Sequence, residues 1–178
     1  MSTLELRRPW WPYDMHEYVQ GLLAPGAAVF EYGGGGSSLW FHDSGVKLAV
    51  VEHDANWIKQ LREILPTDVQ LIEAPPQANG TVRSAVEDGY FDEYVKSIDT
   101  FANGVFDLVV VDGRARVDCV LRARDKVKPG GHLLLDDSDR ERYDAANDAM
   151  ASWHVLSFRG LKVGSSIPAT TTIWQKPV

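Results

Sequence analysis

Cysteine is almost missing from this chain: Cys119 is the only one. That excludes an internal disulfide and a cysteine cluster for zinc, and the helical pattern around Cys119 marks it as a core thiol. Long apolar runs are missing too. No stretch approaches the roughly 18 residues that a membrane span requires, and no apolar segment follows the N-terminal charges to make a secretory signal. A cytoplasmic protein without a membrane partner is expected. Positive charge is in deficit, since 25 acidic against 18 basic side chains give a net charge of −7. A nucleic-acid binder would carry a basic face, so no nucleic-acid partner is expected. Repeats, low-complexity tracts and linkers are absent. With 178 residues and 44% hydrophobic content, the length suits one compact domain over 1–178 and is short for two.

What is present is an alternation. Short runs rich in β-branched residues fall at Ala28–Tyr32, Lys47–Glu52, Val69–Glu73, Phe106–Asp112, His132–Asp136, Trp153–Phe158 and Thr170–Gln175. Helical patterns lie between them at Asp14–Leu23, Ser38–Ser44, Ala55–Leu65, Asp88–Ile98, Arg116–Lys126 and Asp139–Met150, and Pro129-Gly130-Gly131 breaks the fifth helix from its strand. Strands alternating with helices predict βαβ units and a doubly wound, mostly parallel α/β sheet. The irregular stretch Ala74–Glu87 leaves room for a loop over a site. Ligands of such sheets bind beyond the carboxyl ends of the strands. Those ends carry Glu31, Glu52, Glu73, Asp112 and Asp136, more acids than core packing alone would place there.

The densest signal is Glu31-Tyr32-Gly33-Gly34-Gly35-Gly36-Ser37-Ser38. Consecutive glycines let a backbone turn sharply and approach a ligand closely, and the two serines suit a helix start whose free N–H groups attract an anion. A dinucleotide loop would read Gly-x-Gly-x-x-Gly/Ala, whereas Ser38 stands at the last position here. Glu31 can accept hydrogen bonds from the loop and face a cationic ligand. A sulfonium compound with a free carboxylate fits that pairing better than a pyrophosphate does.

With these segments on the page, the chain resembles the class I S-adenosylmethionine-dependent methyltransferases over about Val29 to Asp137. Glu31-x-Gly33-x-Gly35 looks like the family's first motif. Glu52, in Val50-Val51-Glu52-His53-Asp54, resembles the acid that takes both ribose hydroxyls, while Phe106–Asp112 and Lys128-Pro129-Gly130-Gly131-His132-Leu133 resemble its fourth and fifth strand segments. The resemblance implies a Rossmann-like three-layer αβα sandwich whose seven-stranded sheet has an antiparallel last strand. It also implies S-adenosylmethionine as cofactor, with Glu31, Gly33, Gly34, Gly35, Ser37, Ser38, Glu52, His53, Asp112 and Arg114 around it. The expected activity is methyl transfer to a small-molecule acceptor at oxygen, with Asp112 as the base. The rival readings are a non-catalytic S-adenosylmethionine-binding module, an NAD(P)-dependent oxidoreductase and aminopropyl transfer.

Asp112, Asp136 and Asp137 are also similar to the carboxylates with which catechol-type O-methyltransferases hold a divalent cation such as Mg²⁺, although Asp137 stands where that subgroup commonly has Asn. Arg114, Arg116, Arg140 and Arg142 either neutralise these acids or recognise an anionic acceptor. His53 and His132 are each a second candidate base or a structural histidine, and Trp57 borders the adenine or packs in the core. The cluster Arg7-Arg8-Pro9-Trp10-Trp11-Pro12-Tyr13 caps the cofactor, lines the acceptor pocket, forms an interface or covers the first helix, and a homodimer is compatible with the sequence.

Overall fold

The computed structural model describes residues 3–162 and 165–178. Among them, seven strands form one sheet: β1 (Ala28–Tyr32), β2 (Lys47–Glu52), β3 (Gln70–Glu73), β4 (Phe106–Val111), β5 (Val127–Leu135), β6 (His154–Leu161) and β7 (Pro168–Gln175). Their spatial order is β3-β2-β1-β4-β5-β7-β6. Only β7 runs antiparallel to its neighbours, β5 and β6. The helices are α1 (Thr3–Leu6), α2 (Tyr13–Leu22), α3 (Gly36–Asp43), α4 (Ala55–Ile64), α5 (Asp92–Lys96), α6 (Arg116–Ala123) and α7 (Asp144–Ala149). None is long and apolar enough to cross a membrane.

Strands covered on both faces must be apolar at nearly every position, and Phe-Asp-Leu-Val-Val-Val of β4 is such a run. Successive side chains then alternate between two cores. Phe30, Tyr32, Val109, Val111, Leu133 and Leu135 face a cluster that includes Tyr94 of α5, Val120 of α6 and Ala146 of α7. Val29, Val50, Leu108, Val110, Leu134 and Ile173 face the other, with Trp11 ahead of α2, Met15 and Val19 of α2, and Phe41 of α3. The result is the three-layer α/β architecture expected from the alternation. Chain order reverses between β1 and its neighbours β2 and β4, which opens a crevice at the carboxyl ends of those strands.

β1 and β2 have the bounds expected from sequence, and other elements differ for local reasons. β5 starts at Val127 rather than His132: buried Val127 pairs with Phe106 before the Pro129-Gly130-Gly131 turn, so that turn becomes an excursion inside the strand, with Gly130 at φ +75°. α5 starts four residues later than expected. Gly89 adopts φ +100°, and Tyr90 exchanges main-chain hydrogen bonds with Gln77, which keeps residues 88–91 out of the helix. A 3-10 turn at Glu141–Tyr143 likewise delays α7. α1 has no counterpart in the sequence reading. Beyond it, Pro12 forms an antiparallel bridge with Lys162 past the end of β6, so the N-terminal segment crosses the carboxyl edge of the sheet as a strap.

Phe30 is fully buried against the rings of Tyr32, Phe101 and Phe106. Phe30→Ala is expected to lower unfolding free energy by about 3–5 kcal/mol, the range for a large core ring. Half-exposed Trp10→Ala should stay within about 0.5 kcal/mol. Denaturant titration of the two variants checks both values.

Candidate functional site

The glycine loop follows β1. Gly33 has φ +93° and donates its N–H to Val51 O at 2.9 Å, and a Cβ on it would lie 2.8 Å from Gly113 Cα. The loops after β1 and β4 therefore touch through glycine. At Gly36, a Cβ would collide with the main-chain oxygens of Thr3 and Arg8, so the strap is seated over the start of α3. Glu31 lies beneath the loop at 0% exposure. The hydroxyls of Ser37 and Ser38 donate to its two oxygens, and Ser38 Oγ accepts the Gly35 N–H at 3.0 Å. Desolvation pushes the Glu31 carboxyl up to about 8 against the lowering effect of both serines, with Asp112 and Glu52 adding to the rise. It is uncharged at neutral pH and does not line the cavity. The expectation that Glu31 faces a cationic ligand is thereby corrected: it is the buried anchor of the loop. Ser37 does reach the cavity.

Above the loop lies a cavity of about 930 Å³. On its β2 side, buried Glu52 takes main-chain N–H groups of His53 (2.7 Å) and Asp54 (3.0 Å) on Oε1 and of Gly34 (3.1 Å) on Oε2. Oε1 is saturated, and Oε2 keeps acceptor capacity. His53 Nδ1 is 2.6 Å from Glu52 Oε1, a charge contact out of line for a hydrogen bond. Its Nε2 is 3.0 Å from Glu87 Oε2, which also accepts from Arg114 Nε at 2.6 Å. Burial acts against a charged imidazole, but the two glutamates outweigh it and hold the His53 pKa above its usual value. Glu87 comes from the irregular loop expected to cover a site. It ties that loop to the β2 and β4 ends, a role that no local signal announced. Trp57 donates from Nε1 to Gly34 O at 2.7 Å and borders the cavity.

On the β4 and β5 side, Asp112, Asp136 and Asp137 do come together, along with three cations. Buried Arg116 donates to the main-chain oxygens of Gly113 (3.1 Å), Asp136 (2.6 Å) and Asp112 (2.9 Å), and its Nη2 is 2.9 Å from Asp112 Oδ1. Arg140 pairs with Asp137 Oδ2 at 2.5 Å. Lys162 Nζ donates to Asp136 Oδ2 and Asp137 Oδ1 at 2.7 Å each, and Thr171 Oγ1 donates to Asp136 Oδ1 at 2.6 Å. Five of the six carboxylate oxygens thus have partners, and Asp112 Oδ2 is the one left without one among the described residues. Desolvation pushes the Asp112 carboxyl up to about 7, with Asp136 reinforcing and Arg116 opposing. This arrangement does not fit a divalent cation, and no group of three acidic, histidine or cysteine side chains among the described residues is placed to hold one. The expectation of a metal on Asp112, Asp136 and Asp137 is corrected on that ground. Lys162, the residue responsible, was not a sequence candidate.

The outer wall is made by Arg8 and Trp10 of the strap and by Ile167 before β7. Trp11 turns the opposite way and is fully buried against Trp40 and Phe41. The N-terminal aromatic cluster therefore serves both the cavity and the core. His132 does not line the cavity, Arg142 stacks on Tyr143, and Glu73 pairs with Arg62 at the surface. None of these three belongs to the site. Cys119 is buried in the core, as expected.

No protein-family model and no curated protein matches the chain. Solved structures do. A methyltransferase-like protein from Silicibacter pomeroyi is 20% identical, with a TM-score of 0.59 over 96% of this chain and 90% of that one. A putative O-methyltransferase from Klebsiella pneumoniae is 17% identical, with a TM-score of 0.62 over 92% and 77%. A Burkholderia thailandensis 1,6-didemethyltoxoflavin-N1-methyltransferase, solved with S-adenosylhomocysteine, is 14% identical, with a TM-score of 0.59 over 93% and 78%. The fold is the Rossmann-like fold of the class I S-adenosylmethionine-dependent methyltransferases.

Because the folded chain holds the Glu31 proton up to about pH 8 and the unfolded chain releases it near 4.5, this group's contribution to stability falls as pH rises between those values. Glu31→Gln keeps the shape without the ionisation. The wild type is expected to lose stability relative to this variant from pH 5 to pH 8 in urea unfolding. A difference that stays constant with pH would mean that Glu31 is charged in the fold.

Proposed function

We propose that this chain is an S-adenosylmethionine-dependent methyltransferase that acts on a small-molecule acceptor at oxygen. The observation that carries the reading is the juxtaposition of Glu52 Oε2, the glycine loop with the start of α3, and Asp112 around one cavity. When bound, the cofactor supplies a methyl group on a positively charged sulfur. Glu52 Oε2 would accept from the ribose, and the glycine loop with the start of α3 would receive the methionyl carboxylate. Trp57, His53 and Arg114 wall the β2 and β4 side.

Methyl transfer requires mainly that the acceptor be held in line and out of bulk water. Asp112 Oδ2, which has no partner among the described residues, would take the proton from the acceptor hydroxyl as the oxygen–carbon bond forms and the carbon–sulfur bond breaks, the sulfur leaving as a neutral thioether. A carboxyl that titrates near neutrality is suited to that exchange. The net negative charge supports an acceptor other than nucleic acid.

Titration calorimetry with S-adenosylhomocysteine tests the cofactor assignment, and absence of heat would reject it. Glu52→Ala is expected to weaken that binding by about tenfold or more, some 1.4 kcal/mol, and undiminished affinity would remove Glu52 from the ribose. Transfer should increase with pH through about 7 as Asp112 loses its proton, and Asp112→Asn should abolish that dependence.

A further inference from the structure

We infer that Lys162 supplies, from within the chain, the cation that the catechol-type resemblance assigns to a metal, and that its ammonium receives the oxygen of the acceptor. The inference rests on the methyl-transfer reading and adds to it the chemistry of the second substrate. Both functions cannot share the locus. A metal would need Asp136 and Asp137 oxygens at about 2.0–2.6 Å, and Lys162 Nζ already lies 2.7 Å from one oxygen of each. Charge argues the same way, because Asp112, Asp136 and Asp137 are matched by Lys162, Arg116 and Arg140. A divalent ion would leave the cluster two charges in excess.

An ammonium has three donors. Two are committed to Asp136 and Asp137, no third partner occurs among the described residues, and Lys162 lines the cavity. The remaining N–H is available to an oxygen bound beside Asp112. The main chain at Lys162 is fixed by its bridge to Pro12, which sets the ammonium under the strap. Elsewhere on the same cavity the walls change character. Trp10 is 51% exposed and Ile167 73% exposed, both lining the cavity, and Arg8 has no carboxylate partner among the described residues. An indole face and an aliphatic side chain around a cationic donor suit a flat apolar body carrying a phenol or carboxylate oxygen. That is the acceptor class assigned here.

The test uses the whole chain, with and without S-adenosylhomocysteine, and follows the Lys162 ammonium and the Asp136 and Asp137 amides by proton–nitrogen correlation spectra. Lys162→Arg identifies the lysine signal. Mn²⁺ at about 1 mM, the weak end of oxygen-ligand cation affinity, is expected to leave all three signals unbroadened. Benzoate, salicylate or catechol is expected to shift the ammonium signal saturably. Lys162→Met should weaken that binding more than tenfold and admit Mn²⁺ to the bared aspartates. If this variant does not fold, the wild-type titrations decide. Selective broadening of residues 136 and 137 by Mn²⁺ in the wild type would overturn the inference, as would an ammonium signal that none of the three probes moves. Failure here alongside normal S-adenosylhomocysteine binding would leave the cofactor assignment standing. Loss of that binding would remove the methyl-transfer reading, while the Mn²⁺ arm still reports on Lys162.

Discussion

Taking carboxylates out of water is the constraint on which the site depends. The parallel sheet delivers an acid to the end of strand after strand, and a buried charge is tolerated only when paired or neutralised. The chain meets this requirement in three different ways. Glu31 keeps its proton beneath the serines, Glu52 is wrapped by main-chain N–H groups and His53, and Asp112, Asp136 and Asp137 are matched by side-chain cations. These solutions give the acids separate capacities. One secures a loop, one presents a single acceptor oxygen, and one group surrounds Asp112 Oδ2, the carboxylate oxygen of its cluster without a partner among the described residues.

Arg116 connects the local chemistry to the fold. Its guanidinium ties together the carbonyls of Asp112 and Asp136, the first residues past β4 and β5, while pairing with the Asp112 side chain, so one side chain links the two strand ends to the electrostatics of the site. A planar fork with five donors can satisfy several acceptors at once, which a lysine cannot do in the same place. Glu87 performs a comparable service on the β2 side through His53 and Arg114.

Much of this was legible in the sequence, and the illegible part has a common cause. β1 and β2 could be bounded to the residue because the first runs into the glycine loop and the second ends on Glu52. The glycine loop, Glu52 and the acids after β4 and β5 were visible as motifs because each is local. What could not be read is how distant segments meet. Glu31 and Glu52 look alike on paper, and only burial beneath the loop, acting against the lowering effect of the α3 serines, separates the neutral Glu31 from the cavity-lining Glu52. The cation for the acid cluster lies at Lys162, 25 residues beyond Asp137 in the chain, with nothing in its own neighbourhood to mark it. The strap was legible as aromatic, but the opposite outlooks of Trp10 and Trp11 follow from the bridge at Pro12. The fold hosts many chemistries, so the neighbouring structures, all at 20% identity or less, speak to the scaffold, and the side chains have to speak for the rest.

The cavity is assembled from two separate tracts of sequence. Its inner wall is built by residues 33–37, 52–57 and 112–116, at the ends of the central strands, whereas its outer wall is contributed by residues 8–10, by Lys162 and by residues 165–169, which flank the sheet edge. Mutational drift in the outer tracts meets little resistance from the buried core, while the inner tracts are held by close glycine contacts. Substitutions at a handful of outer positions would therefore reshape one wall of the cavity while leaving the glycine loop and the acids at the central strand ends in place.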